Sequence, residues 1–230
     1  MANCLQHKTF IVQQLYIIVL LGLFNCQKPV PKPTILDNCL SIEQVNLLTK
    51  MIRSFEDDLS KYYHFSKNEP EKTIKKYLNE IKTPMKNDSL ILEIASPKSK
   101  ELLQKSFTIL SDDVWTTYQE EYGNMQDNIY ILEEGDTLEA IIKDEQEALK
   151  RYKNKHLVRT NGKLVDCFYS KTSDESSKEL FRLLMDSGAI SPDIIINGIL
   201  SLKTKISNSK EIEAYIALDL FYSPLDFNLK

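Results

Sequence analysis

Chemistry in this chain would have to come from few residues. Past the first twenty-five positions the histidines are His64 and His156, and the cysteines are Cys26, Cys39 and Cys167. Histidine changes charge near neutral pH and serves as acid, base or metal ligand. Neither histidine stands in an HExxH or CxxC context or in any other metal-ligand spacing. His64, in "YYHFSKNEP", falls at the end of a helical pattern, where a half-buried or helix-capping role fits, and His156 reads as a surface residue. A histidine–carboxylate pair would have to be assembled from distant segments. There is no GxSxG elbow, P-loop or dinucleotide fingerprint, and with 6 glycines phosphate-cradling loops are scarce. The acidic group "EEGD", Glu133 to Asp136, lacks the alternating ligands of a calcium loop and fits a solvated helix N-terminus. No metal or cofactor is expected.

The residues best suited to recognition are aromatic. In "VWTTYQEEYGNM", Trp115, Tyr118 and Tyr122 recur at spacings of three and four, which places them on one face of a helix. Exposed, they would form a binding patch beside Glu120 and Glu121, of the kind that anchors interfaces. The plainer alternative is a buried stripe, as most amphipathic helices have. Tyr62, Tyr63 and Phe65 carry the same two readings.

The N-terminus supplies an address. Met1 to Lys8 is basic, and "TFIVQQLYIIVLLGLF" follows. Its uninterrupted part, Leu15 to Phe24, is about ten residues, half of the roughly twenty that a membrane span needs. A basic start, a short apolar core and a processing site make residues 1–25 a signal peptide. Leu23 to Cys26, with leucine three positions before a cysteine, resembles the lipobox of bacterial lipoproteins. Phe24 and Asn25 stand where that motif usually has small residues. The resemblance implies cleavage before Cys26, acylation of its thiol and attachment to a membrane through several acyl chains, enough for stable anchoring. Gln27, rather than aspartate, then slightly favours the outer membrane of the envelope. Residues 26–38 form the tether, since the prolines of "QKPVPKP" favour an extended polyproline II conformation.

Removal of the signal leaves about 205 residues, with 39–230 expected as a single domain with a substantial core. The net charge of −4 and the lack of a basic run argue against nucleic acid as a partner. Cys4 leaves with the signal and Cys26 takes lipid, so Cys39 and Cys167 remain either as a disulfide in an oxidising compartment or as buried thiols.

Hydrophobic periodicity makes the domain mainly α. Ser41 and Gln44 form a capping box ahead of Ile42, Val45, Leu48, Ile52, Phe55, Leu59 and Tyr62 on one stripe. A second helix is expected from Glu69 to Ile81, ended by Thr83-Pro84; "SLILEIAS" fits helix or strand; Ser96-Pro97 opens a helix to about Leu110. Ser111 is expected to cap a helix ending at Gly123, and Asp136 with Glu139 another through "DTLEAIIKDEQEALKRYKNK". Asn161-Gly162 in "HLVRTNGKLVDCFY" predicts a small β-hairpin packed on helices. Helices then follow from Asp174 to Ser187, from Ser191-Pro192, and from an Asn208–Glu211 cap through Phe221, stopped before Pro224.

The functional expectation is a lipid-anchored, non-enzymatic envelope protein that binds another protein or an envelope component, an inhibitor or immunity protein being one variant. The alternative is a lipid-anchored hydrolase built from scattered carboxylates and a histidine. The first places aromatic groups on a surface; the second places His64 or His156 beside a carboxylate in a cleft.

Overall fold

Ser41 starts the domain as its sequence indicates. Its hydroxyl accepts from the Gln44 backbone N–H at 3.3 Å, and the Gln44 side chain accepts from the Ser41 N–H at 2.9 Å. Two otherwise orphaned helix donors are thereby satisfied. The helix α1, Ile42–Tyr63, buries Val45, Leu48, Met51, Ile52, Phe55, Leu59 and Tyr63. Ile42 and Tyr62, expected on that stripe, are exposed. A helix of 3.6 residues per turn carries Phe55 and Leu59 on to Tyr63 rather than Tyr62. His64 ends α1 in the left-handed conformation, with φ 55°, and its N–H donates to the Ser60 carbonyl.

The computed structural model describes residues 39–66, 68–82, 87–123, 138–187, 190–203 and 205–229, without the side chains of 87, 88, 138–143 and 145. All of them belong to the unit Ile35–Lys230. The signal segment, Cys26, the tether, Thr83-Pro84, "EEGD" with the Asp136 end of its capping pair, and Gly188 lie outside the described residues.

Helix α2, Pro70–Ile81, and helix α4, Pro97–Ile109, form as expected, the second capped by Ser96, whose hydroxyl accepts from Ser99 N–H. "SLILEIAS" belongs to a helix, α3, Asn87–Ile94. The helix expected from Ser111 to Gly123 is broken instead into α5, Ser111–Val114, strand β1, Trp115–Thr117, and α6, Tyr118–Tyr122. The β-branched and aromatic run Val114–Thr117 suits an extended strand. Thr117 and Glu120 then make a second capping box at which the helix restarts. Gly123 ends α6 as expected, in a right-handed conformation, its N–H donating to the Gln119 carbonyl.

Helix α7, Leu138–Tyr152, leads to strand β2, His156–Val158. The hairpin expected at Asn161-Gly162 does not form. Strand β2 pairs antiparallel with β1, Trp115 opposite Val158 and Thr117 opposite His156. Gly162 becomes the N-cap of α8, Lys163–Lys171. Leu164, Val165, Cys167 and Phe168 are buried there, a helical spacing that overrides the two-residue turn signal. The protein is mainly α with one small two-stranded sheet, its strands about forty residues apart in sequence.

Helix α9, Glu175–Ser187, begins where Asp174 Oδ2 accepts from Ser177 N–H, and α10, Pro192–Leu200, carries its proline in the first turn. A 3-10 turn at Ile206–Asn208 precedes α11, Lys210–Ala217, capped by Ser209 rather than Asn208. The backbone does not stop before Pro224. It widens into a π turn, Leu218–Tyr222, and continues as α12, Ser223–Asn228; the Leu220 carbonyl, four residues before Pro224, accepts from Tyr77 Oη where the proline offers no N–H.

This C-terminal run is the centre of the core: every residue from Ile212 to Phe221 except Asp219 is buried. Burial on all sides explains a helix with no solvent stripe. Phe55 packs its ring on Phe221 at 5.2 Å and on Tyr77 at 5.7 Å. The polar tips are satisfied across elements, with Tyr77 Oη donating to Leu220 O and Tyr222 Oη to Met51 O at 3.0 Å. Cys39 and Cys167 form a disulfide, Cα atoms 5.7 Å apart, which ties the segment ahead of α1 to α8.

Candidate ligand pocket

Strand β2 and the π turn help to frame a pocket of about 330 Å³. That lies at the small end of the range for small-molecule sites. One wall is the C-terminal run, through Tyr215, Asp219, Leu220 and Phe227; β2 supplies Leu157 and Val158. Tyr122 comes from the end of α6, and Leu184, Ile190 and Ile195 from α9 and the α10 region. The wall is mostly hydrocarbon and aromatic ring. A π turn inserts a residue into a helix and re-aims the side chains beyond it, and such turns recur at functional sites.

Asp219 is the polar feature of this wall. It sits in the π turn, half-buried while its neighbours are buried, so its carboxylate keeps some access towards the cavity. Oδ2 accepts from Tyr215 Oη at 2.9 Å. Burial pushes the Asp219 carboxyl up to about 6, the Tyr215 hydrogen bond working against the rise. Tyr122 is pushed up to about 12, first by burial and then by the charges of Glu121 and Asp219 among others. Among the described residues no cationic side chain pairs with Asp219, and the lining includes neither lysine nor arginine.

Of the aromatic triplet read from the sequence, the structure unites two. Tyr118 and Tyr122 lie with ring centroids 4.6 Å apart, and Phe227 joins Tyr118 at 6.0 Å and Tyr152 at 5.2 Å. Trp115 is not on their face. As a strand residue it turns into the core, 3% exposed, and meets Phe107 edge-on at 5.7 Å. Pairing with β2 decides this, since residues of a strand alternate sides where residues of a helix would have shared one. Tyr63 and Phe65 stack at 6.3 Å beside the ammonium groups of Lys72 and Lys76, a cation–π edge at the end of α1.

His64 is exposed at its helix end. His156, expected at the surface, is half-buried: its ring stacks on Phe107 with centroids 3.7 Å apart, and Nδ1 lies 3.0 Å from Asp226 Oδ2. The same oxygen accepts from the His156 backbone N–H at 2.8 Å. Lys155 Nζ donates to the carbonyls of Asp226 and Leu229, at the end of α12 where a cation complements the helix dipole. This group clasps the last helix to β2; neither His156 nor Asp226 lines the pocket. Asp226→Ala is expected to destabilise the domain by about 2 kcal/mol, because it leaves a half-buried backbone N–H without its acceptor. Asp226→Asn keeps an acceptor there and should cost less, a difference read from urea unfolding.

The sequence reading missed Asp219, Tyr215 and Phe227. A signal was present: a lone carboxylate inside the apolar run "AYIALDLFY", four residues after a tyrosine that shares its helical face. Among the described residues no three histidine, cysteine or carboxylate side chains are grouped to hold a metal. No family model, characterised protein or solved structure matches the chain.

Proposed function

We propose that this protein is a lipid-anchored component of the bacterial cell envelope, held through acyl chains on Cys26, whose helical domain binds an envelope component rather than transforming it. The observation that carries the binding reading is the apolar pocket with its single recessed carboxylate, a composition typical of sites that hold and orient a ligand. The disulfide Cys39–Cys167 supports an exported, oxidising location. Among the described residues no helix is long and apolar enough to cross a membrane. In this reading attachment rests on Cys26, with the outer membrane slightly favoured by Gln27.

The test is Cys26→Ala, followed by fractionation of its native host and intact mass under non-reducing conditions. The unsubstituted protein is expected in the membrane fraction, cleaved before Cys26 and heavier by its acyl chains. The variant is expected largely in the soluble fraction. A full-length mass, or a cleaved chain without lipid, would remove the anchor.

One observation favours a second reading, a hydrolase. His156 Nδ1 is oriented by Asp226 as a catalytic base is oriented by its carboxylate. Against it, the imidazole lies flat on Phe107, and among the described residues no hydroxyl or thiol is hydrogen-bonded to the ring. Turnover of chromogenic esters or amides that disappears in His156→Gln would replace the binding reading.

A further inference from the structure

We propose that the pocket takes a hydrophobic amine: a compact apolar body carrying one protonated nitrogen, which pairs with Asp219. The proposal deepens the binding reading above and rests on it. Three observations converge. The lining is chiefly apolar and encloses about 330 Å³, room for a small molecule or the head of a larger one. Its ionisable groups are Asp219, Glu121, Tyr122 and Tyr215; no basic group lies among them to receive an anion. Asp219 has the Tyr215 hydroxyl on Oδ2 and no cationic partner among the described residues.

A carboxylate held out of water beside hydrocarbon is costly until a cation reaches it. The free protein answers in part by raising the Asp219 pKa. A ligand ammonium would complete the compensation and form a charge-assisted hydrogen bond of the stronger kind. Tyr122 and Phe227 line the same cavity, and aromatic rings attract a cation through their quadrupoles. Glu121, exposed on the same helix as Tyr122, adds attraction for a cation and repulsion for an anion. A neutral ligand would gain the apolar contacts and at most a hydrogen bond without the attraction of opposite charges. A carboxylate ligand would meet like charge.

The experiment titrates the full chain, in phosphatidylcholine nanodiscs, with three probes that share one body: 4-phenylbutylamine, 4-phenylbutanol and 4-phenylbutyrate. Calorimetry against empty nanodiscs removes partition into lipid. The amine is expected to bind at least about tenfold more tightly than the alcohol, and the butyrate more weakly than both. In Asp219→Asn the amine should lose its advantage over the alcohol, and a cooperative urea transition certifies that the variant is folded. Ile190→Trp, which adds bulk to the lining, should weaken amine and alcohol together. Equal affinity of amine and alcohol in the unsubstituted protein overturns the amine assignment and leaves the pocket as a binding site. Absence of binding by all three probes overturns the pocket reading with it.

Discussion

Replacing Cys39 and Cys167 together with alanine is expected to lower the unfolding free energy of the domain by about 4–5 kcal/mol. The bridge spans 128 residues of sequence, so in the unfolded chain it forbids a large set of open conformations. In the chain-entropy account such a loop sits near the upper end of disulfide stabilisation. Both half-cystines are buried, Cys39 4% and Cys167 9% exposed, so their removal also thins the packing where the chain enters α1 and where α8 meets the core. Domains of this size are commonly stable by only 5–15 kcal/mol, so a reduced chain would be marginal. Guanidinium unfolding with and without reductant measures the effect. The reductant should shift the unsubstituted protein most of the way to the midpoint of the double variant, which also lacks the two buried sulfurs, and leave the variant where it is. A midpoint indifferent to reductant would mean that the bridge adds nothing to stability.

The second large effect is a dependence on pH centred on Glu213. This side chain is 1% exposed in α11, paired with the Lys210 ammonium and within the field of Glu56 on α1 and Glu71 on α2. Burial first, and then those two carboxylates, push its pKa up from 4.5 to about 7 in spite of Lys210. Burial raises Glu56 as well. A carboxyl whose pKa is higher in the folded state binds its proton more tightly there. Its contribution is therefore complete below about pH 4.5 and is lost as pH rises through about 7, a change of about 3 kcal/mol. Asp219 works in the same direction from 3.8 to about 6. Glu71, lowered overall by Lys75 and Ser207 against its own burial, works in the opposite direction. Urea unfolding should show the domain more stable near pH 5 than near pH 8. Glu213→Gln should flatten that slope and raise stability at pH 8 by about 2–3 kcal/mol, while changing little at pH 5. If the variant is equally destabilised at both values, the buried charge is not what the domain works against at high pH.

Local code accounts for much of this fold. Ser41 with Gln44, and Ser96 with Pro97, carry helix starts in a few residues, because a capping side chain bonds to backbone only two or three positions away. The mainly helical class follows from apolar spacing that repeats at three and four along most of the domain. The pairing of Cys39 with Cys167 was one of two readings open to the sequence, and the fold selects it by bringing their Cα atoms within 5.7 Å. Elsewhere the outcome lay with distant partners. Trp115–Thr117 became a strand because β2 offered its edge, and that pairing turned Trp115 away from Tyr118 and Tyr122. Asn161-Gly162 marked a turn, but the apolar stripe of the next nine residues had a core to enter as a helix, α8. Pro224 reads as a stop only if the helix before it is regular; a π turn lets the backbone carry on. The site belongs wholly to this second class. Asp219 and Tyr215 are neighbours on one helix, yet a cavity exists only where α6, β2, α9 and the α10 region close around them. Such closure is set by packing between segments far apart in sequence, which no short window of residues encodes.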